Sequence, residues 1–180
     1  MRKVLVVVIV VGLLAATASA QERKTLQVFN DVSKQVQRYA HFTIFDDVSA
    51  AIDNGVVTLT GRVTMPFKKN EIEKRVARVN GVTEIVNAIE VLPVSIFDEG
   101  LRYQIARAIY RNPSFWHYAA MANPPIHIIV EHGRVTLTGV VQNNVERVLA
   151  RSIATGFNAF SVKNDLRTEA EVRAALEKVD

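Results

Sequence analysis

The sequence predicts an α+β protein built from two tandem αββαβ units, each a small three-stranded sheet with helices packed on one face, plus a short C-terminal helix. Three observations predict it. The phrase "NGVVTLTG" at Asn54 returns as "HGRVTLTG" at His132, 78 residues later, with six of eight positions identical. The match extends outward at the same offset. Val48, Ala50 and Ile52 fall on Ile126, Ile128 and Val130, and Phe67, Ile72, Val76 and Val79 fall on Val145, Ala150, Ala154 and Phe157. After a one-residue deletion, Ile85, Asn87 and Ile89 fall on Val162, Asn164 and Leu166. A repeat this long marks a duplicated domain. Within each copy the apolar period also alternates in one fixed order, helix, strand, strand, helix, strand.

The elements follow from the residues in order. Val28, Val32 and Val36 recur at helical spacing, as do Leu101, Ile105 and Ile109 in the second copy. Val48, Ala50 and Ile52 then alternate as one face of a strand. Asn54-Gly55 follows, the strongest short hairpin signal, because a type I′ turn needs positive φ at both residues. Gly55 and Gly133 supply that freedom. The next strand places Val57, Leu59, Gly61 and Val63 on the apolar face, so Gly61 and its twin Gly139 leave room for a helix or another backbone to approach. A second helix opens near Thr64 and Pro66 and turns Ile72, Val76 and Val79 to the core. Thr83–Val91 closes the unit as a last strand. There Asn87, like Asn164, is expected as a buried amide bonded to backbone at a sheet edge. The closing residues "TEAEVRAALEKVD" begin with the capping box Thr168-x-x-Glu171 and put Val172, Leu176 and Val179 on one face.

Ahead of the repeats, residues 1–20 read as a cleavable signal peptide. Arg2 and Lys3 precede an uncharged run from Val4 to Leu14, and Ala18-Ser19-Ala20 fits a small-x-small cleavage site before Gln21. The run is short of the roughly 20 residues a spanning helix needs, although an uncleaved anchor is the alternative. An exported, periplasmic protein is expected, peripheral on a membrane if it meets one. Without Arg2 and Lys3 the net charge falls from +4 to +2, too little and too dispersed to argue for nucleic acid. The chain has no cysteine. It therefore forms no disulfide, carries no thiol nucleophile and offers no thiol for a lipid anchor.

No constellation for catalysis emerges. His41, His117, His127 and His132 show no metal-ligand spacing, so no metal and no cofactor are expected. His132 holds the turn position of Asn54, and His127 lies on the outward face of a strand. Asp46 and Asp47 precede a strand and are expected to be solvated. The glycines lack phosphate-loop spacing, there is no GxSxG, and Asn112-Pro113-Ser114 is blocked as a glycosylation site by its proline. The protein is expected not to be an enzyme and to take no small-molecule substrate.

The residues "DNGVVTLTGRV", the helix behind them and "NGVTEIVNAIEVLP" resemble a BON domain (bacterial OsmY and nodulation). "EHGRVTLTGVV" through "NAFSVKNDL" resembles a second one. The resemblance covers about residues 27–92 and 97–168, leaving 169–180 as the final helix. The second copy departs twice. Gly81 is replaced by Ala159, which implies a tighter or re-routed turn, and the extra segment "RNPSFWHYAAMANPP" precedes its first strand. An OsmY-like arrangement implies a non-enzymatic envelope protein that binds phospholipid surfaces and supports osmotic-stress protection. The rival reading is a soluble chaperone-like module whose partners are envelope proteins.

The first helices of the two copies differ in their outward faces. In the first copy Asn30, Lys34, Gln37 and His41 make an ordinary wet surface. In the second, Tyr103, Ala106, Arg107 and Tyr110 form one stripe with Arg111 beside it, running into Phe115, Trp116 and Tyr118. Tyrosine, tryptophan and arginine together suit an anionic membrane surface, so Tyr103, Arg107, Tyr110, Arg111, Phe115 and Trp116 are the candidate lipid-binding residues. Packing of the same stripe against the first copy or its own sheet, or a protein partner, would use these residues too.

Overall fold

A computed structural model describes residues 24–177. The expected signal peptide, its cleavage site and Val179 lie outside the described residues. The fold is α+β, with two mixed sheets and a terminal helix.

In the first unit, helix α1 (24–37) is followed by strands β1 (Asp47–Asp53) and β2 (Val56–Val63), helix α2 (Pro66–Val76) and strand β3 (Glu84–Val91). The sheet order is β1-β2-β3, antiparallel then parallel. A parallel neighbour needs a crossover, and α2 provides it on the core face. Asn54 and Gly55 have φ of 48° and 86°, the paired positive values of a type I′ turn. Val57, Leu59 and Val63 are fully buried with Val32, Ile72 and Val76, as the alternation predicts.

The second unit repeats this with α3 (Ile96–Tyr110), β4 (Ile126–Glu131), β5 (Arg134–Val141) and α5 (Asn144–Thr155). Between α3 and β4 the extra segment forms a 3-10 turn, Pro113–Phe115, and the short helix α4 (Trp116–Ala119). The last strand is not one strand. It splits into β6 (Ser161–Asn164) and β7 (Arg167–Thr168), both parallel to β5, so this sheet has four strands where three were expected. The interruption falls at Asp165-Leu166, where Asp165 N–H donates to the Leu137 carbonyl before the chain rejoins β5. Helix α6 (Glu169–Leu176) opens on the expected capping box, with Thr168 and Glu171 bonded reciprocally. Arg147 on α5 ties it down through Glu171 at 2.7 Å.

Gly61 and Gly139 have φ of 120° and 111°. A Cβ at either would collide with a backbone carbonyl of the neighbouring strand, Asp47 in one unit and Pro125 in the other. The close approach is therefore made by the hairpin's own partner strand, not by a helix. Asn87 and Asn164 hydrogen-bond helix carbonyls, at Lys69 (3.2 Å) and Arg147 (2.9 Å), from half-buried positions at the sheet edges. Where Gly81 turns the first unit with φ of 92°, the second makes a shorter turn in which Ala159 N–H donates to the Phe157 carbonyl at 2.7 Å.

The two units touch along β4. The Ile128 N–H donates to the Ile44 carbonyl at 2.7 Å, and Ile44 and Phe45 pack into the second unit's core. Arg62 lies between Glu90 (3.4 Å) and Glu131 (3.3 Å). The outward face of β4 is accordingly covered. Ile129 is buried, and His127 Nδ1 meets the Asp46 carbonyl instead of solvent.

Candidate functional site

Helix α3 starts where Ser95 caps the Asp98 amide at 3.2 Å. Its buried side faces β4 and α5 through Leu101, Ile105 and Ile109. Two charged residues are buried on it as well. Asp98 accepts from the turn amides of His132 (2.9 Å) and Gly133 (2.8 Å), and Arg102 donates to the Val130 carbonyl at 2.6 Å. Burial lowers the pKa of Arg102, and the carboxylate of Asp98 opposes that shift. These contacts lock the helix to the hairpin, so whatever it presents outward is held on a rigid frame.

Burial divides the candidate stripe. Tyr103, Arg107, Arg111 and Trp116 are exposed, Trp116 at 70%. Tyr103 meets Phe45 of the first unit edge-on at 5.0 Å. Phe115 is completely buried and Ala106 nearly so, which removes both from any outward surface. Tyr110 is half-buried, and its hydroxyl donates to the Ile126 carbonyl at 2.6 Å and accepts from the Ile126 N–H at 3.2 Å. Burial pushes its phenol pKa up. The cause is the extra segment, which folds back so that Phe115 and Tyr118 complete the core cluster. That leaves Trp116 on its outer side.

Tyr118 shows what the segment does inside. Its hydroxyl donates to Glu146 at 2.7 Å and accepts from the Gln142 N–H at 2.9 Å, over the start of α5. Burial first, then the bond to Glu146, raises its pKa. The matching place in the first unit is taken by Asp46, which proves fully buried and not solvated. Its carboxylate accepts from Thr43, from Thr64 and from Lys68 at 2.6 Å. Its burial is not legible from the sequence, because Asp46's partners lie up to 22 residues away.

Among the described residues no carboxylate lies within ion-pair distance of Arg107 or Arg111. At the other end of the helix stand apolar side chains that the periodicity did not single out: Ile96 (90% exposed) and Phe97 (56%), with Phe160 (86%) beside them. Between the start of α3 and the end of α5 lies a groove of about 340 Å³ lined by Ile96, Phe97, Gly100, Leu101, Gln104 and Phe157. A second cleft, of about 380 Å³, separates the units. Its walls carry Arg62, Arg134 and Lys163 against Asp47, Glu131 and Asp165. Among the described residues no group of His, Asp or Glu is arranged to hold a metal ion, and no helix is long and apolar enough to cross a membrane.

The family model of the BON domain matches the chain twice, over residues 31–93 and 98–170. No curated protein matches it. Similar solved structures include the C-terminal domain of CdsD, the structural protein of the type III secretion system of Chlamydia trachomatis. The identity is 19% over 83% of this chain and 68% of that one, with a TM-score of 0.34. A second structure of CdsD from the same organism is 14% identical over 84% of this chain and 97% of that one, with a TM-score of 0.28.

Proposed function

Given that the chain belongs to the BON-domain family, whose domains are linked to phospholipid membrane binding, we propose that it is an exported periplasmic protein that binds anionic phospholipid surfaces. The family is generally non-enzymatic, and the role proposed here is likewise non-catalytic: support of envelope integrity under osmotic stress. The contact surface is the outward face of α3 and the segment that follows it, formed by Tyr103, Arg107, Arg111 and Trp116. The observation that carries this reading is a pair of exposed arginines, without a carboxylate partner among the described residues, flanked by an exposed tyrosine and tryptophan on one rigid helix and its extension. Amphipathic rings favour the headgroup layer, and each arginine near an anionic surface contributes about 1 kcal/mol. Those magnitudes give weak, reversible, salt-sensitive binding.

Co-sedimentation with vesicles tests the proposal. Binding is expected to phosphatidylcholine vesicles containing phosphatidylglycerol and not to phosphatidylcholine alone. Arg107→Glu with Arg111→Glu should abolish it at unchanged melting temperature, whereas charge reversal of Lys34 on α1 and of Arg38 just beyond it should not. Emission from Trp116, the only tryptophan, should shift to the blue on binding. No sedimentation with anionic vesicles at low salt would reject the proposal in favour of a protein-binding module.

A further inference from the structure

The tip of the second unit is built differently from the tip of the first, at a place where the fold makes the same contact. In the first unit the Thr83 N–H donates to the carbonyl of the turn residue Gly55 at 2.8 Å. In the second the Phe160 N–H donates to the carbonyl of Gly133, also at 2.8 Å. The backbone role is the same, and a threonine performs it. Phe160 nevertheless holds a phenyl ring 86% in solvent, so the ring does not serve the core. It is not isolated. A Cβ on Gly133 would meet both Phe160 (2.7 Å) and Phe97 (3.4 Å), which places the two rings together over the turn. Ile96, 90% exposed, precedes Phe97 as the first residue of α3. The helix position matching Phe97 in the first unit is the exposed Lys24.

The spacing of Ile96, Gly100, Tyr103 and Arg107 puts these residues on one face of α3. Ile96 therefore heads the face that carries Arg107, and Phe97 and Phe160 flank it over the Gly133 turn, so this side of the unit is greasy at the helix start and cationic towards its end. That order of chemistry matches a lipid surface: arginines among anionic headgroups, with rings and isoleucine below them at the acyl boundary.

We propose that Ile96, Phe97 and Phe160 form an apolar anchor that enters the bilayer when α3 lies on it, adding a salt-resistant part to the attraction made by Arg107 and Arg111. The proposal rests on the lipid-binding reading of α3 and deepens it. Burying a phenylalanine is worth enough for roughly a tenfold change in partitioning. Phe97→Ser with Phe160→Thr should then weaken binding to phosphatidylglycerol-containing vesicles about 100-fold. Both side chains are exposed, so the melting temperature should be unchanged. At about 1 M salt, where the Debye length is about 3 Å, the unaltered protein should keep measurable binding and the double variant none. A reporter gives depth directly: with Trp116→Phe and Phe160→Trp combined, the introduced indole should shift to the blue and be quenched by lipids brominated on their acyl chains. If that indole keeps its aqueous emission and the double variant binds like the unaltered protein, the anchor is overturned. The lipid reading still stands if Arg107→Glu with Arg111→Glu abolishes binding. If the unaltered protein binds no anionic vesicle, both fall together.

Discussion

Lys68 and Glu146 occupy the same position in the two units, the third residue of the crossover helix, yet they carry opposite charges. Each is buried, and each is satisfied by a partner from the segment that precedes its unit's first strand. In the first unit that partner is Asp46, which pairs with Lys68 at 2.6 Å and accepts from both Thr64 donors. In the second it is Tyr118 from the extra segment, donating to Glu146 at 2.7 Å. The first unit closes its core with a buried ion pair, the second with an inserted aromatic. One backbone frame thus accepts either solution, provided that the buried charge has a partner with matching hydrogen-bond geometry. The insertion then fulfils two roles, with Phe115 and Tyr118 inward and Trp116 outward.

The strictest test of what the units share is the strand glycine. Gly61→Val and Gly139→Val should each cost about 4–5 kcal/mol, because strain at positive φ adds to collision with a carbonyl that cannot retreat. Thr60→Val and Thr138→Val should cost far less. Chemical denaturation reads all four, and a milder loss at the glycines than at the threonines would dissolve the equivalence of the two hairpins. What the units do not share can be sharpened next. Phe115→Ala should cost about 3–5 kcal/mol as a fully enclosed ring. Trp116→Ala, its neighbour in sequence, should stay within about 0.5 kcal/mol. Equal losses would mean that the segment is all core, and the outward role of Trp116 would go with it. The third contrast sets Asp46→Ala against Tyr118→Phe. Removing Asp46 strands the buried Lys68 ammonium and should cost about 3 kcal/mol. Removing the Tyr118 hydroxyl deletes its bond to Glu146 and its bond from the Gln142 N–H, which keeps Glu146 as acceptor, and should cost about 1–2 kcal/mol. Comparable values would show that Lys68 escapes to solvent once its partner is gone.

Much of the fold is legible because it is local. Type I′ turns, strand alternation, helix spacing and the capping box at Thr168 all depend on residues within a few positions of one another. The repeat doubled each signal, and the two family matches fall on the two copies. The candidate site was legible only in part. Tyr103, Arg107, Arg111 and Trp116 face solvent, whereas Tyr110 and Phe115, in the same run of aromatics, turn inward. A helical stripe identifies the side opposite the sheet, but it cannot show that a later segment will fold back over its edge.

By itself, then, the sequence determined two αββαβ units, their hairpins and the core faces, since these follow from backbone propensity and apolar periodicity along the chain. Tertiary structure alone decided that Asp46 is buried against Lys68. It also decided that the glycines make room for a strand carbonyl and that the outward face of β4 belongs to the other unit. It left Ile96, Phe97 and Phe160 bare at one tip. Each of these depends on groups distant in sequence arriving at one place, where desolvation and steric exclusion act on the assembled neighbours.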